Sequence, residues 1–284
     1  MIEDRGKKTH NARKPPIKKH FDPYGKRPEF SEADDSDEGV IEGRNAVIEA
    51  LRAGVAIDKV FIAKGETDAV LGHIASTARQ AGAVVVDADR RKLDSMSKTR
   101  AHQGVIAFSA CAEYSTIKDI LDIARQKNEE PLIVLCDEIS DPHNLGAVIR
   151  TCEAAGAHGV IIPKRRSAGL SATVAKVSSG AVYHTAVARV TNMTSAIAEL
   201  KKAGIWVFGA SVHGETPLWR ADFKGPSAIV VGSEGSGISR LVGEKCDFKV
   251  SIPMFGKIAS LNASVSASIL VYEAVRQRQL TIDN

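Results

Sequence analysis

Aromatic residues make up only 5% of the 284-residue chain, so few side chains are available as stacking platforms for unpaired bases. The four cysteines, Cys111, Cys136, Cys152 and Cys246, stand far apart, with no C-x-x-C pair and no clustered histidines. Neither a disulfide framework nor a zinc site is supported, and no metal is expected. No apolar run approaches the length of a membrane span, and the N-terminus is charged, with no apolar signal core. A cytoplasmic protein with no membrane partner is expected. The dinucleotide fingerprint G-x-G-x-x-G is also missing. The glycine loop runs G-x-x-G-x-G through Gly232, Gly235 and Gly237, which disfavours a nicotinamide cofactor. No internal repeat is found.

What is present is an ordinary globular composition, 44% hydrophobic and 25% charged, in a chain long enough for two cores. The net charge of +4 favours an anionic partner weakly, and its distribution says more. Residues 1–27 hold nine Lys and Arg against three acids, and residues 28–39 hold six acids and no base. With Pro15, Pro16 and Pro23, this reads as a disordered charged tail over residues 1–39, either a non-specific attraction to nucleic acid or a solvated leader.

Order is expected from about Val40. The pattern predicts a helix over 45–53 stopped by Gly54, a strand over 59–64, and a helix over 67–80 capped by Thr67. A strand over 83–88, a short helix over 90–97 and a strand over 104–109 complete a compact α/β unit. Two polar patches bracket it, and Arg44, Asn45, His102 and Gln103 are candidate RNA readers or, equally, capping and turn residues. A helix over 115–126 and a charged connector precede alternating strands and helices: LIVLCD, 144–155, GVIIP, 171–178, AVARV, 194–203, IWVFGA, AIVVG, FKVSI and a long last helix. Such alternation implies a parallel sheet covered on both faces.

The stretch from Ser227 to Gln279 concentrates the chemistry. AIVVG ends at Gly232 in a glycine loop carrying Glu234, and FKVSI stops at Pro253. After the loop MFGKIAS comes a helix with apolar positions Leu261, Val265, Ile269 and Tyr272 and small first turns. Two strand ends and a helix start thus converge where little side-chain bulk keeps a ligand or a second chain away. Taken alone, the glycine loop is equally an ordinary tight turn. Upstream, Asp141 before Pro142 predicts an N-cap and first helical residue, which places Asn144 at a helix N-terminus. Arg150 projects from the same helix on another face, suited to a phosphate or to a structural ion pair.

DPHNLGAVIRT, VVGSEGSGIS and SIPMFGKIASLNASVSASILVYEA, in that order, resemble the three signature motifs of the SpoU (TrmH) family of RNA ribose 2′-O-methyltransferases. The match covers about 131–279. The segment 40–110 is similar to the L30e-like substrate-binding domain of the bacterial 23S rRNA guanosine 2′-O-methyltransferase branch, and PKRRSAGLSATVAKVSSGA fits that branch too. The resemblance implies four parts: the tail, an L30e-like RNA-binding domain over 40–112, a connector over 113–130, and a methyltransferase domain over 131–284. The last would be an α/β domain with a deep trefoil knot, acting as a homodimer.

The resemblance further implies S-adenosylmethionine bound between the knot loops, with Gly232, Ile252 and Leu261 as the cofactor positions. The expected chemistry is attack of a ribose 2′-hydroxyl on the sulfonium methyl. The resemblance offers Arg150 as the base after contact with a substrate phosphate. Guanidinium is a poor base, so phosphate and ribose positioning is the expected role, in service of the partner subunit's cofactor because the family's site is completed across the dimer. Glu234 is the one carboxylate of the motif loops able to take the proton. Asn144, Asn262 and Ser264 would orient Arg150 and Glu234. Lys164, Arg165 and Arg166, with Lys176 and Ser178 as weaker candidates, would face RNA or form a solvated charge run. The expected target is a guanosine of 23S rRNA, and binding is expected to depend steeply on salt. The alternatives are a tRNA 2′-O-methyltransferase, a thiostrepton-resistance type enzyme, and a non-catalytic ribosome-assembly factor.

Overall fold

The computed structural model describes residues 39–65 and 68–282. The charged segment through residue 38 and the expected cap Thr67 lie outside them.

The N-terminal layer is built from β1 (Val40–Glu42), α1 (Arg44–Arg52), β2 (Ile57–Ala63), α2 (Ala69–Gln80), β3 (Val84–Ala88), α3 (Arg90–Met96) and β4 (Val105–Ser109). Its four strands run in the order β1-β4-β2-β3. β2 and β3 pair in parallel, while β4 is antiparallel to both β2 and β1. β1 is the strand the pattern did not show, because three residues are too few to display an alternation. Val47 of α1 and Leu71, Ile74 and Ala78 of α2 cover one face of the sheet, and Leu93 of α3 covers the other. Gly54, at φ 72°, stops α1 as expected. The cap of α2 is Asp68, whose carboxylate accepts from the Val70 amide at 2.7 Å.

Glu42, at the end of β1, fastens the loop after α3. Its carboxylate accepts from Ser97 Oγ at 2.7 Å, the Lys98 amide at 2.6 Å and Thr99 Oγ1 at 2.6 Å. Burial pushes the Glu42 carboxyl up, but the Thr99, Lys98 and Ser97 hydrogen bonds together hold it down at about 2. A depressed carboxylate stabilises above its ordinary value, and that contribution is lost as pH falls through the folded value. The Lys98 and Thr99 amide shifts should therefore titrate with a midpoint near about 2 in an NMR pH series; a midpoint at the ordinary 4.5 would show that the loop does not hold the carboxylate.

The rest of the chain forms α4 (Ile117–Lys127), β5 (Leu132–Asp137), α5 (Pro142–Ala154), β6 (Gly159–Pro163), α6 (Ala172–Val177), β7 (Val187–Val190), α7 (Met193–Lys202), β8 (Trp206–Ala210) and β9 (Thr216–Pro217). It ends with β10 (Ser227–Gly232), α8 (Arg240–Gly243), β11 (Phe248–Ser251) and α9 (Ala263–Ile282). The seven strands stand in the order β7-β6-β5-β10-β8-β11-β9 and pair in parallel throughout. Alternation along β5 divides the core. Leu132, Val134 and Cys136 meet α5, α6 and α9 on one face, and Ile133 and Leu135 meet α4, α7 and α8 on the other. The stretch 113–130, expected as a connector, thus contributes Ile117 and Ile120 of α4 to this core.

Of the apolar positions expected for the last helix, Ile269 packs against the core, but the stripe as a whole is not the buried face. Leu261 precedes α9, and Val265 and Tyr272 are 45% and 50% exposed. The buried side is Ala263, Ala267, Leu270, Val271 and Ala274. A helix with apolar residues on two sides offers two stripes to a periodic reading, and the longer side chains marked the outer one. Near its far end, the Arg278 guanidinium donates to the carbonyls of Glu130, Pro131, Phe223 and Gly225, at 2.6 to 3.1 Å. It pins α9 to the entry of β5 and to the turn before β10.

β5 and β10 are neighbours, with Asp137 beside Gly232 at their C-terminal ends. From there the chain leaves in opposite directions, toward β6 after β5 and toward β11 after β10. Ligands of open α/β sheets bind at such a divergence.

Candidate active site

Three segments meet at this divergence. The first is the start of α5, where the Asp141 carboxylate caps the helix by accepting from the His143 amide at 2.9 Å. Pro142 occupies the first turn, and Asn144 is only 6% exposed. The second is the glycine loop after β10. Ser233 and Gly237 exchange two backbone hydrogen bonds of 3.1 and 2.9 Å, folding the loop back on itself with Glu234 in the turn. That fold-back requires glycine at 232, since a Cβ there would lie 2.0 Å from the Gly237 carbonyl carbon. The third is the start of α9. Asn262 Oδ1 caps it, accepting from the Ser264 amide at 2.9 Å, the Val265 amide at 3.3 Å and Ser264 Oγ at 2.6 Å.

Side-chain amides join the three. Asn144 Nδ2 donates to Glu234 Oε1 at 3.1 Å, and Asn262 Nδ2 donates to Asn144 Oδ1 at 2.9 Å and to the same Glu234 oxygen. Both donors reach Oε1, and Oε2 meets no hydrogen-bond donor among the described residues. The sequence therefore brings together Asn144, Glu234, Asn262 and Ser264. Arg150 stands apart. It lies six residues along α5 from Asn144, which turns it through about 240°. It is exposed, and its side chain makes no hydrogen bond or ion pair to any described residue. Asn144 and Asn262 hold Glu234, Ser264 bears on it only through Asn262, and none of the three hydrogen-bonds to the Arg150 side chain, contrary to the expectation that they orient both.

Sequence reasoning missed two supports of this site. Asp137 is buried at the end of β5, and its Oδ2 accepts from the Ser239 amide at 2.7 Å, anchoring the far side of the glycine loop. The acid closing the apolar run LIVLCD was the available signal. Thr151 Oγ1 and Ser268 Oγ lie 2.8 Å apart and tie α5 to α9; nothing in the pattern singles them out.

The expected cofactor positions line the same end of the sheet. Ile252 and Leu261 are half-buried, and Ile252 packs against the core. Residues 253–261 between them make no hydrogen bond to any described residue, so their backbone donors and acceptors remain open to a ligand. Apolar walls with open backbone groups fit a nucleoside cofactor held through main-chain contacts. Among the described residues no group of three or more His, Cys, Asp or Glu could hold a metal ion. Nor is any described helix long and apolar enough to cross a membrane.

The candidate RNA residues divide by what they already do. Lys164, Arg165 and Arg166 follow β6 at the edge that carries Asp137 and Gly232. Burial, with Arg189 and Arg165 nearby, pushes the Lys164 amine down, and Arg166 donates to Glu138 at 3.1 Å. Lys176 is exposed on α6. Ser178 is buried, its hydroxyl donating to the Ala175 carbonyl. In the N-terminal layer Asn45 is exposed on the first turn of α1. Arg44 Nε donates to the Gln103 carbonyl at 3.0 Å, and its guanidinium pairs with Asp68. His102 is 2% exposed, held between Asp94 and the Gly104 amide, so it builds the loop.

Comparison with known proteins agrees with this layout. Residues 131–272 match the model of the SpoU rRNA Methylase family, and residues 40–115 match that of RNA 2′-O ribose methyltransferase substrate binding. A Bacillus subtilis protein assigned to the TrmH family of tRNA/rRNA methyltransferases, YacO, is 45% identical over 236 residues, covering 83% of this chain and 94% of its own. A relative from Staphylococcus haemolyticus, similarly assigned, is 44% identical over 86% of this chain and 98% of its own. Among solved structures, the SpoU methyltransferase AviRb of Streptomyces viridochromogenes with AdoMet superposes with a TM-score of 0.54 at 25% identity, over 84% of this chain and 90% of that one. An AdoMet-bound rRNA methyltransferase of Sinorhizobium meliloti gives 0.53 at 25% identity, over 84% and 87%. The fold is the SpoU methyltransferase fold, a parallel α/β sheet preceded by a substrate-binding layer, and the chain belongs to the SpoU family of RNA methyltransferases, which use S-adenosylmethionine.

Proposed function

We propose that this enzyme methylates the ribose 2′-hydroxyl of a guanosine in 23S ribosomal RNA, acting as a homodimer. The observation that carries the reading is the amide network that fixes one oxygen of Glu234 and leaves the other open at the divergence of β5 and β10. The match of residues 40–115 to a 2′-O ribose substrate-binding model supports the ribose as target. S-adenosylmethionine supplies an electrophilic methyl on sulfonium. A ribose hydroxyl is a weak nucleophile and must lose its proton as it attacks. Glu234 Oε2 accepts that proton, held in place by Asn144 and Asn262 through Oε1. Arg150, whose side-chain donors meet no partner among the described residues, holds the phosphate beside the target ribose. Its position on another side of α5 supports service to the partner subunit's site. The apolar side chains Val265 and Tyr272, exposed on α9, support a face that a second copy covers. The reading includes the family's trefoil knot, supported by the contact of Asn262 with Glu234 across the two loops. The relatives' assignment to tRNA/rRNA methyltransferases keeps tRNA as the second reading.

Asn262 has two duties that substitution separates. Asn262→Ala should cost about 1 kcal/mol of stability through the lost cap and should also slow methyl transfer. Asn262→Ser restores a cap acceptor but no amide that reaches Glu234, so thermal melting should recover while methyl transfer does not. Recovery of both would remove the amide network from catalysis.

The test of function is transfer of labelled methyl from S-adenosylmethionine to unmodified 23S rRNA transcript, with the labelled nucleoside identified after digestion. Label in 2′-O-methylguanosine is the expected result. Transfer to tRNA alone would keep the chemistry and move the substrate, and transfer to neither would sink the reading.

A further inference from the structure

A buried ion pair joins the substrate-binding layer to the edge of the methyltransferase sheet. Asp58 lies in β2 and Arg189 in β7, and both side chains are largely buried. Arg189 Nη1 donates to Asp58 Oδ1 at 2.5 Å, and Nη2 donates to the Gly82 carbonyl, in the turn before β3, at 2.8 Å. The guanidinium carbon lies 3.9 Å from the centre of the Tyr114 ring. The Tyr114 hydroxyl in turn donates to Asp58 Oδ1 at 2.7 Å and accepts from the Leu170 amide at 3.0 Å. Residue 169 runs so close to the Asp58 carboxylate that a Cβ there would sit 2.2 Å from Oδ2, so any side chain at 169 would have to displace that carboxylate from Arg189 and Tyr114.

Such a contact is more than adhesion. Apolar side chains of similar volume often stabilise as well as a buried ion pair. An apolar contact, however, tolerates sliding. A guanidinium that donates to two partners and stacks on a ring does not, because displacement in any direction strands a buried polar group. Arg189 also lies on the strand next to β6, whose end carries Lys164, Arg165 and Arg166. We propose that Asp58, Arg189 and Tyr114 form a positioning clamp that fixes the substrate-binding layer in one orientation and so sets which nucleotide of the bound RNA reaches Glu234. This rests on the RNA-methylating function proposed above.

The test uses the full chain and two variants. Arg189→Lys keeps the charge but loses the planar fork and the stacking. Asp58→Leu with Arg189→Leu removes both charges, so no unpaired ion is left buried to unfold the protein. The first readout needs no RNA: the distance distribution between spin labels at the exposed positions Glu49 and Lys202. The wild type should give one narrow distribution and both variants a broadened one. The second is the position of the methyl label along the RNA, with kcat and KM. The variants should show at least a tenfold rise in KM for RNA, or label on neighbouring nucleotides, with S-adenosylmethionine affinity unchanged. Loss of stability alone would move neither the label position nor the ratio of KM to kcat. A distribution as narrow as wild type in the double variant overturns the clamp, as does a broadened one with KM and label position unchanged. If the wild type methylates no RNA, the functional reading fails separately, and the distance distribution alone then upholds or overturns the clamp.

Discussion

Replacing Arg150 by alanine lowers methyl transfer at saturating RNA by at least about a hundredfold and leaves S-adenosylmethionine affinity within about twofold of wild type. Misplacing a reacting group by about 1 Å costs about 10² in rate, and the Arg150 guanidinium, which makes no side-chain hydrogen bond or ion pair to any described residue, is available to hold the neighbouring phosphate and with it the ribose. It caps no helix and closes no loop, so the fold has little reason to suffer. Single-turnover transfer and calorimetry on the same preparation separate the two effects. A loss below about threefold, or a parallel loss of cofactor affinity, would remove Arg150 from the reaction. Mixing Arg150→Ala protein with Glu234→Gln protein tests where it acts. In a heterodimer whose sites combine one chain's Arg150 with the other's Glu234, one site is whole. Random mixing should then restore about a quarter of wild-type activity. If each chain completes its own site, mixing restores none.

Gly232→Ala should abolish measurable cofactor binding, a loss of about a hundredfold or more by calorimetry, while far-UV circular dichroism stays close to wild type. The added methyl would meet the Gly237 carbonyl carbon at 2.0 Å and the Ile238 nitrogen at 2.2 Å. Both are backbone atoms, and no rotamer change can clear them. The glycine loop must open, and opening it breaks the paired hydrogen bonds between Ser233 and Gly237 and moves Glu234 away from Asn144 and Asn262. Gly235 is the internal control. A Cβ there meets nothing within 4 Å, so Gly235→Ala should bind the cofactor within about twofold of wild type. Cofactor affinity within about threefold of wild type in Gly232→Ala would mean that the loop does not shape the cofactor site.

Much of this was legible from residues 40 to 279. Glycine stops, the Asp141 cap before Pro142 and short apolar runs mark most strands and helices because each signal is local. The residues that converge on Glu234 could be named in advance because the family resemblance placed them in three motifs. What stayed hidden depends on distance in sequence. β1 is recognisable only beside β4, and the buried side of α9 only beside the sheet. Arg150 is not among these, since six helical residues already set it on another face from Asn144 in the sequence. The pairing of Asp58 with Arg189 spans 131 residues, and neither residue belongs to a motif.

Arg278 gives the protein a timetable. The carbonyls it gathers at 130–131 and 223–225 and the cap that Asn262 supplies both depend on α9. The substrate-binding layer closes on itself by Ser109, about 170 residues before Arg278. At about 5–20 residues per second, the ribosome needs roughly 10–30 s to make the difference. For that interval a nascent chain can have its first layer folded and no methylating centre, so it can meet RNA before it can modify it.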